Sequence, residues 1–371
     1  MRALEVVFVV QGEGRGHMTQ ALALAHHIRD AGHRVGRVLV GESRYRSVPS
    51  YFVDSIGASV EAFPAPTQVP NRQGRGVSVS ATARDALLRL PAFLRSCRRI
   101  HDVTARADVV VNFLDFVGGV SRLLLRTRTP AVAVAHNYAF LHPALGNAPG
   151  SPVVKAFVLG YTRGAALRTS ARAALSFGPL PGPNPVGLEV VPPLLRPGIR
   201  TLVPRDEGYL LAYALNAGYG DVLHDWQRRS PGTVVHCYLD GGSAGLAAPP
   251  GNGFYVHELS QEAFLRHLAG CRAYVGTAGF EAVCEAHYLG KPVLAVPTEG
   301  QYEQSLNAWD AQRVGAARAG GFEDLDAFWH APPVPSRDSV LAFRRWVEEA
   351  PSALVSLIER VAASGSGHLP T

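Results

Sequence analysis

The chain has 371 residues, 47% of them hydrophobic and 18% charged, with a formal net charge of +6. This composition excludes a largely disordered protein, and the length calls for two domains of roughly 150–200 residues each. No apolar run approaches the roughly 18 residues of a membrane-spanning helix.

In chain order, the opening MRALEVVFVVQGEG reads as a first core strand. It lacks a small-residue cleavage site and runs into a Gly-rich turn, which argues against a signal peptide. Short apolar runs then alternate with amphipathic stretches, the pattern of parallel α/β domains. Strands are expected at Leu4–Val10, Val35–Val40, Ser59–Phe63, Asp108–Phe113 and Ala131–Ala135, with helices at Met18–Ala31, Ala81–Ala107 and Val153–Ala174. The stretch FGPLPGPNPVGLEVVPPLLRPG is dense in Pro and Gly and reads as a loop leading into a linker. Alternation restarts with strands at Tyr209–Leu215, Val234–Leu239, Gly253–Val256, Ala273–Val275 and Val293–Val296. Helices are expected at Gln261–Ala269, Phe280–Leu289 and Gln301–Val314, and a last one spans about Ser339–Ala362. The fold class is therefore α/β with two Rossmann-like domains, 1–198 and 199–338, and a C-terminal helix and tail, 339–371.

Cys97, Cys237, Cys271 and Cys284 lie far apart without metal-like spacing, which points to reduced thiols and a cytoplasmic protein. Of the 36 basic residues only Lys155 and Lys291 are lysines. The basic balance permits phosphates, nucleic acid or an acidic membrane surface as partners. Arg84, Arg95, Arg98, Arg99 and Arg106 share the expected 81–107 helix with Leu87, Leu88, Leu90 and Leu94, either as a solvated face or as a stripe for anionic lipid. Pro91 can break that helix.

Two motifs carry the chemistry. In QGEGRGHMTQ a strand enters a turn with Gly12, Gly14 and Gly16, and His17 follows at a helix start. Glycine lets the backbone approach a ligand, and a helix amino terminus favours negative charge. The third glycine comes one residue too early for a dinucleotide fingerprint, although Glu42 could serve as its ribose-binding acid. In the second half, a strand runs into Gly276-Thr277-Ala278-Gly279 and a helix from about Phe280, with Glu285 further along it. After GKPVLAVP comes EGQYEQSLNA, carrying Gln301, Glu303, Gln304 and Asn307.

Together these motifs resemble GT-B glycosyltransferases, closest to the family 28 group containing the peptidoglycan lipid-intermediate GlcNAc transferase, and to family 1. The resemblance implies two domains facing across a cleft, with the last helix returning to the first. It implies transfer of a sugar, with inversion, from a UDP- or dTDP-sugar to a lipid or small-molecule acceptor. No cofactor and no metal are implied, and no Asp-x-Asp metal signature stands in the second half. His17 takes the place of the base, with capping or surface exposure as its alternative. Asp115 takes the place of the carboxylate that orients the base, or else caps the next helix. On the donor side, Thr277, Ala278, Gly279 and Phe280 match the diphosphate cradle and Glu285 the ribose ligand, while Glu303 and Gln304 match the pair that holds sugar hydroxyls. Gly14, Gly16, Asn216 and His257 are further donor candidates. His136 and Asn137 are acceptor-side candidates. Partners are then a nucleotide sugar, an acceptor and an anionic membrane surface, but not nucleic acid. Rivals are a nucleotide-sugar 2-epimerase, a nicotinamide oxidoreductase and a non-catalytic nucleotide-sugar-binding protein.

Overall fold

The computed structural model describes residues 2–42, 44, 47–66, 69, 79–214, 217–239, 246 and 251–365. They form two compact units. The first takes the chain up to Val69, Val79–Arg196 and Trp346 onward, and the second takes Pro197–Arg345.

Unit 1 begins with β1 (Glu5–Gln11), α1 (Arg15–Asp30), β2 (Arg34–Glu42), α2 (Ser50–Ile56) and β3 (Ser59–Pro64). There follow α3 (Val79–Leu88), α4 (Leu90–Thr104), β4 (Val109–Phe113), α5 (Phe116–Leu124), β5 (Ala131–Ala135), α6 (Pro152–Ala165), β6 (Ala171–Leu175) and β7 (Leu188–Val191). The strands form one parallel sheet in the order β3-β2-β1-β4-β5-β6-β7. Helices cover both faces of such a sheet, so central strands are apolar throughout. Accordingly every residue of β4 (VVVNF) and β5 (AVAVA) is buried. The chain leaves β1 toward β2 and leaves β4 the opposite way, toward β5, which makes the carboxyl ends of β1 and β4 the place where such sheets bind ligands.

Unit 2 repeats the plan with β8 (Tyr209–Ala214), α7 (Ala217–Arg229), β9 (Val234–Leu239), β10 (Phe254–His257), α8 (Gln261–Gly270) and β11 (Ala273–Thr277). It continues through α9 (Phe280–Tyr288), β12 (Val293–Val296), α10 (Tyr302–Arg313), β13 (Arg318–Ala319) and α11 (Leu325–His330). The parallel order β10-β9-β8-β11-β12-β13 puts its switch point between β8 and β11. Leu210, Ala212, Val275, Leu294, Trp226 and Phe328 lie in its core.

α12 (Arg337–Glu348) then carries the chain from unit 2 into unit 1, and α13 (Ala350–Ser364) packs there. His33 Nε2 meets Glu359 Oε1 at 2.9 Å, and Trp346 Nε1 donates to the Ser176 carbonyl at 2.9 Å. Leu354, Leu357, Ile358 and Val361 are the buried side of α13.

Four expectations are corrected. The Val153–Ala174 helix stops at Ala165, and Ala171–Leu175 is strand β6. Its Ala-rich sequence favours helix, but pairing with both β5 and β7 overrides that preference. The Pro/Gly-rich stretch is not all loop, since LEVV forms the outermost strand β7, where few ladder bonds are required. The 81–107 helix is two helices, with Pro91 in the first turn of α4, where a missing N–H costs nothing. The last helix also divides, at Glu349, with Pro351 in the first turn of α13. All four cysteines are free and buried. Among the described residues no helix is long and apolar enough to cross a membrane.

Candidate active site

In unit 1 the β1–α1 turn passes against the end of β2, where a side chain on Gly12 would collide with the Gly41 carbonyl. Gly14 is the N-cap of α1, and no side chain caps this helix, which leaves its first-turn amides, Gly16 included, for a ligand or solvent. Arg15, not His17, is the first helical residue. His17 is 8% exposed, and its Nδ1 stands 3.1 Å from Gln20 Oε1, one turn along α1. With an amide oxygen facing it, Nδ1 carries the ring proton and Nε2 keeps the lone pair. Nε2 has no hydrogen-bond partner among the described residues. This is the tautomer a base requires.

Asp115 does not orient His17; no hydrogen bond joins them among the described residues. It is the N-cap of α5, where its Oδ1 accepts from the Gly118 amide at 2.6 Å, and it is 2% exposed. Asn112 clasps the same turn. Its Oδ1 accepts from the Asp115 amide at 2.8 Å, and its Nδ2 donates to the Asp115 carbonyl at 3.0 Å. Burial pushes the Asp115 carboxyl up to about 7, against the opposing pull of the Gly118 and Val117 amides. The side chain that meets His17 Nδ1 is instead that of Gln20, which the sequence analysis did not single out. An amide at i+3 from a histidine on one helix was the signal available.

His136 and Asn137 open a 3₁₀ turn (His136–Leu141) after β5, and both are buried. His136 Nδ1 donates to the Leu175 carbonyl at 2.7 Å, and its ring meets Phe140 and Phe177 edge-on. These residues pack the unit rather than line an open surface. Glu42, the acid a dinucleotide site would use, accepts from the Val48 amide instead.

In unit 2, β11 ends at Thr277 and α9 starts at Phe280, with Gly279 as N-cap and no side-chain cap. Thr277, Ala278 and Phe280 are buried, so the surface of this turn is Gly279 and the backbone. Asn307 of α10 holds it, donating from Nδ2 to the Ala278 carbonyl at 3.1 Å. Uncapped first-turn amides suit a diphosphate, although Glu281 places a carboxylate in the same turn. Glu303 sits half-buried in the first turn of α10. Gln304 Oε1 accepts from the Thr298 amide at 2.8 Å, which fixes the amide and leaves its NH₂ as the group a sugar hydroxyl can meet.

Glu285 is neither a solvated helix residue nor an open ribose ligand, for it is 0% exposed. Nearly all of α9 is buried, and Glu281, Glu285 and Asp310 gather around Cys284, whose thiol burial and these carboxylates push up. A ligand reaches Glu285 only by parting the side chains over it. His257 ends β10 with its ring turned onto His236. Asn216 lies outside the described residues. In each sheet the candidates occupy the carboxyl ends of the strands at the switch point: β1 and β4 in unit 1, β11 beside β8 in unit 2.

Residues 184–329 match the family model described as glycosyl transferase family 1. No curated protein matches the chain. Among solved structures, CalG4, the calicheamicin glycosyltransferase, is 17% identical over 98% of this chain and 99% of its own, with a TM-score of 0.61. The glycosyltransferase SnogD from Streptomyces nogalater is 19% identical, with 96% and 100% covered and a TM-score of 0.55. Acinetobacter baumannii MurG is 17% identical, with 96% and 99% covered and a TM-score of 0.54. The fold is that of the GT-B glycosyltransferases. Fold and domain together place the chain in the glycosyltransferase class of enzymes.

Proposed function

We propose that the protein transfers a sugar, with inversion, from a UDP- or dTDP-linked donor to a hydroxyl of a lipid or small-molecule acceptor. The observation that carries this reading is the donor constellation of unit 2: an uncapped α9 amino terminus, its turn held by Asn307, and the Glu303–Gln304 pair opening α10. The diphosphate lies on the first-turn amides of α9. Gln304 donates to a sugar hydroxyl while Glu303 accepts from one, and the ribose reaches Glu285 when the side chains above it part. His17 Nε2 takes the acceptor proton as the oxygen attacks the anomeric carbon. The bond to the diphosphate breaks, and its charge is received by the α9 amides. His17→Ala is the test. It should keep donor binding and lose about 10²–10⁴ in turnover, the usual contribution of a general base. Near-normal turnover would remove His17 from the mechanism, and loss of donor binding would make it a phosphate ligand.

A lipid acceptor is supported by the surface of unit 1. Leu87 (74% exposed), Leu88 (72%), Leu90 and Leu94 stand out from α3 and α4 among exposed Arg84, Arg95, Arg98 and Arg106. Leucine amid arginine suits the interface of an anionic bilayer. Arg99 is committed elsewhere, to a two-bond pair with Glu61.

A further inference from the structure

Unit 2 gathers three imidazoles, of which only His257 is among the donor candidates, and the proposed transfer gives none of them a step. His236 lies in β9, His257 ends β10 and His267 is in α8. The parallel register sets Tyr255 opposite His236 and His257 opposite Tyr238, so His236 and His257 are diagonal neighbours on one face of the sheet. α8 brings His267 over that face. The ring centroids are 5.0 Å apart for His236–His257, 4.4 Å for His236–His267 and 4.7 Å for His257–His267. One ligand nitrogen from each ring can be chosen so that all lie within 4.8 Å of one another. All three side chains are half-buried, within reach of solvent.

We propose that His236, His257 and His267 form a binding site for a divalent transition metal, zinc foremost, with a fourth position open to water. Three imidazoles with no carboxylate among them select such an ion over magnesium or calcium, which take oxygen ligands. Burial, and for His236 and His267 also neighbouring rings, holds all three below the usual histidine range, His236 at about 4. Metal ligation takes the neutral form of each ring.

The surroundings also fit. His267 Nδ1 lies 2.8 Å from the Tyr238 hydroxyl, which engages that nitrogen and leaves Nε2 as the ligand atom, the outer-sphere arrangement usual for metal-bound histidine. The Tyr209 hydroxyl donates to the His267 carbonyl at 2.9 Å and holds that turn of α8. His236 Nδ1 and His257 Nε2 share a hydrogen bond of 2.8 Å. An ion at about 2.0–2.1 Å from each nitrogen needs them roughly 3.3 Å apart, so this bond opens slightly on binding. Its proton moves to the outer nitrogen of the ring that carried it, and no net proton is released. The bound ion ties β9, β10 and α8 together within unit 2, independently of sugar transfer.

The test uses tag-free full-length protein, stripped with chelator and titrated with Co²⁺ and then Zn²⁺. The site predicts one equivalent per chain by calorimetry, ligand-field bands of low-coordinate cobalt, and a higher melting temperature with zinc. His236→Ala and His267→Ala should each weaken binding at least 100-fold. Tyr238→Phe should weaken it about tenfold, the scale of an outer-sphere ligand. A double His26→Ala, His27→Ala variant, which removes the neighbouring histidines of α1, should bind as the wild type does. Absence of cobalt bands at equimolar ion would overturn the proposal, as would binding that survives loss of His236 and His267. If the alanine variants fail to fold, the wild-type spectrum and Tyr238→Phe still decide.

Discussion

Replacing Asp115 by Asn separates its capping role from its charge. Asn caps a helix about as well as Asp, so the bond from the Gly118 amide survives while the titration disappears. Burial raises the carboxyl from 3.8 to about 7 in the folded protein, a gap of about 3 units worth up to about 4 kcal/mol. The sign follows from linkage: a group whose folded value is raised favours the folded state fully below the unfolded value, near 4. That advantage is lost as pH rises toward 7. Relative to Asp115→Asn, the wild type should therefore be equally stable near pH 4 and progressively less stable up to pH 7, with the gap nearly complete there. Denaturant unfolding followed by far-ultraviolet circular dichroism at pH 4.5, 6 and 7.5 measures it. A difference that does not change with pH, or an Asn variant less stable at pH 7.5, would refute the reasoning. Turnover adds a second reading, since a capping role predicts that Asp115→Asn keeps it within a fewfold.

Gln20→Leu should lower kcat about tenfold with KM unchanged, and Gln20→Glu should move the acid limb of the pH–rate profile upward, because a carboxylate there favours the charged ring. Steady-state kinetics across pH checks both; unchanged profiles would return Gln20 to a packing role. Glu285→Gln should weaken nucleotide diphosphate binding by about 1–3 kcal/mol in calorimetry, the scale of hydrogen bonds to a charged group. Unchanged affinity would take Glu285 out of the donor site. The wild type should co-sediment with anionic vesicles at low salt, and changing Leu87 and Leu88 to Ser should abolish this. Failure of the wild type to sediment would end the lipid-surface reading.

Strands whose residues are buried on both faces announced themselves as unbroken apolar runs, and β5 and β12 lie where that signal put them. The two missed strands share one cause. β6 reads ARAAL and β7 LEVV, segments whose local preference is helix or loop and whose strand character comes only from neighbours in the sheet. The same division runs through the site. Turns such as GEGRGH and GTAG are spelled out by consecutive residues, and both were legible as the uncapped helix starts that the structure has there. The partner of His17 was not, because choosing between Gln20 and Asp115 depends on where a carboxylate 98 residues away spends its hydrogen bonds. The burial of Glu285 was hidden for a similar reason, since spacing reveals which face a residue shares but not what covers it.

Because α13 belongs to unit 1 although the residues of unit 2 precede it, synthesis on the ribosome meets a delay. Unit 1 can assemble its sheet once Arg196 has emerged, but the helix that buries Leu354, Leu357 and Ile358 and meets His33 through Glu359 follows more than 150 residues later. At about 5–20 residues per second that interval is on the order of 10–30 s. Throughout it, the apolar ground beneath α13 lies open to water and to other nascent chains. The interval in which this protein is most exposed to aggregation is thus set by its connectivity, and a chaperone would find its target on the half that was made first.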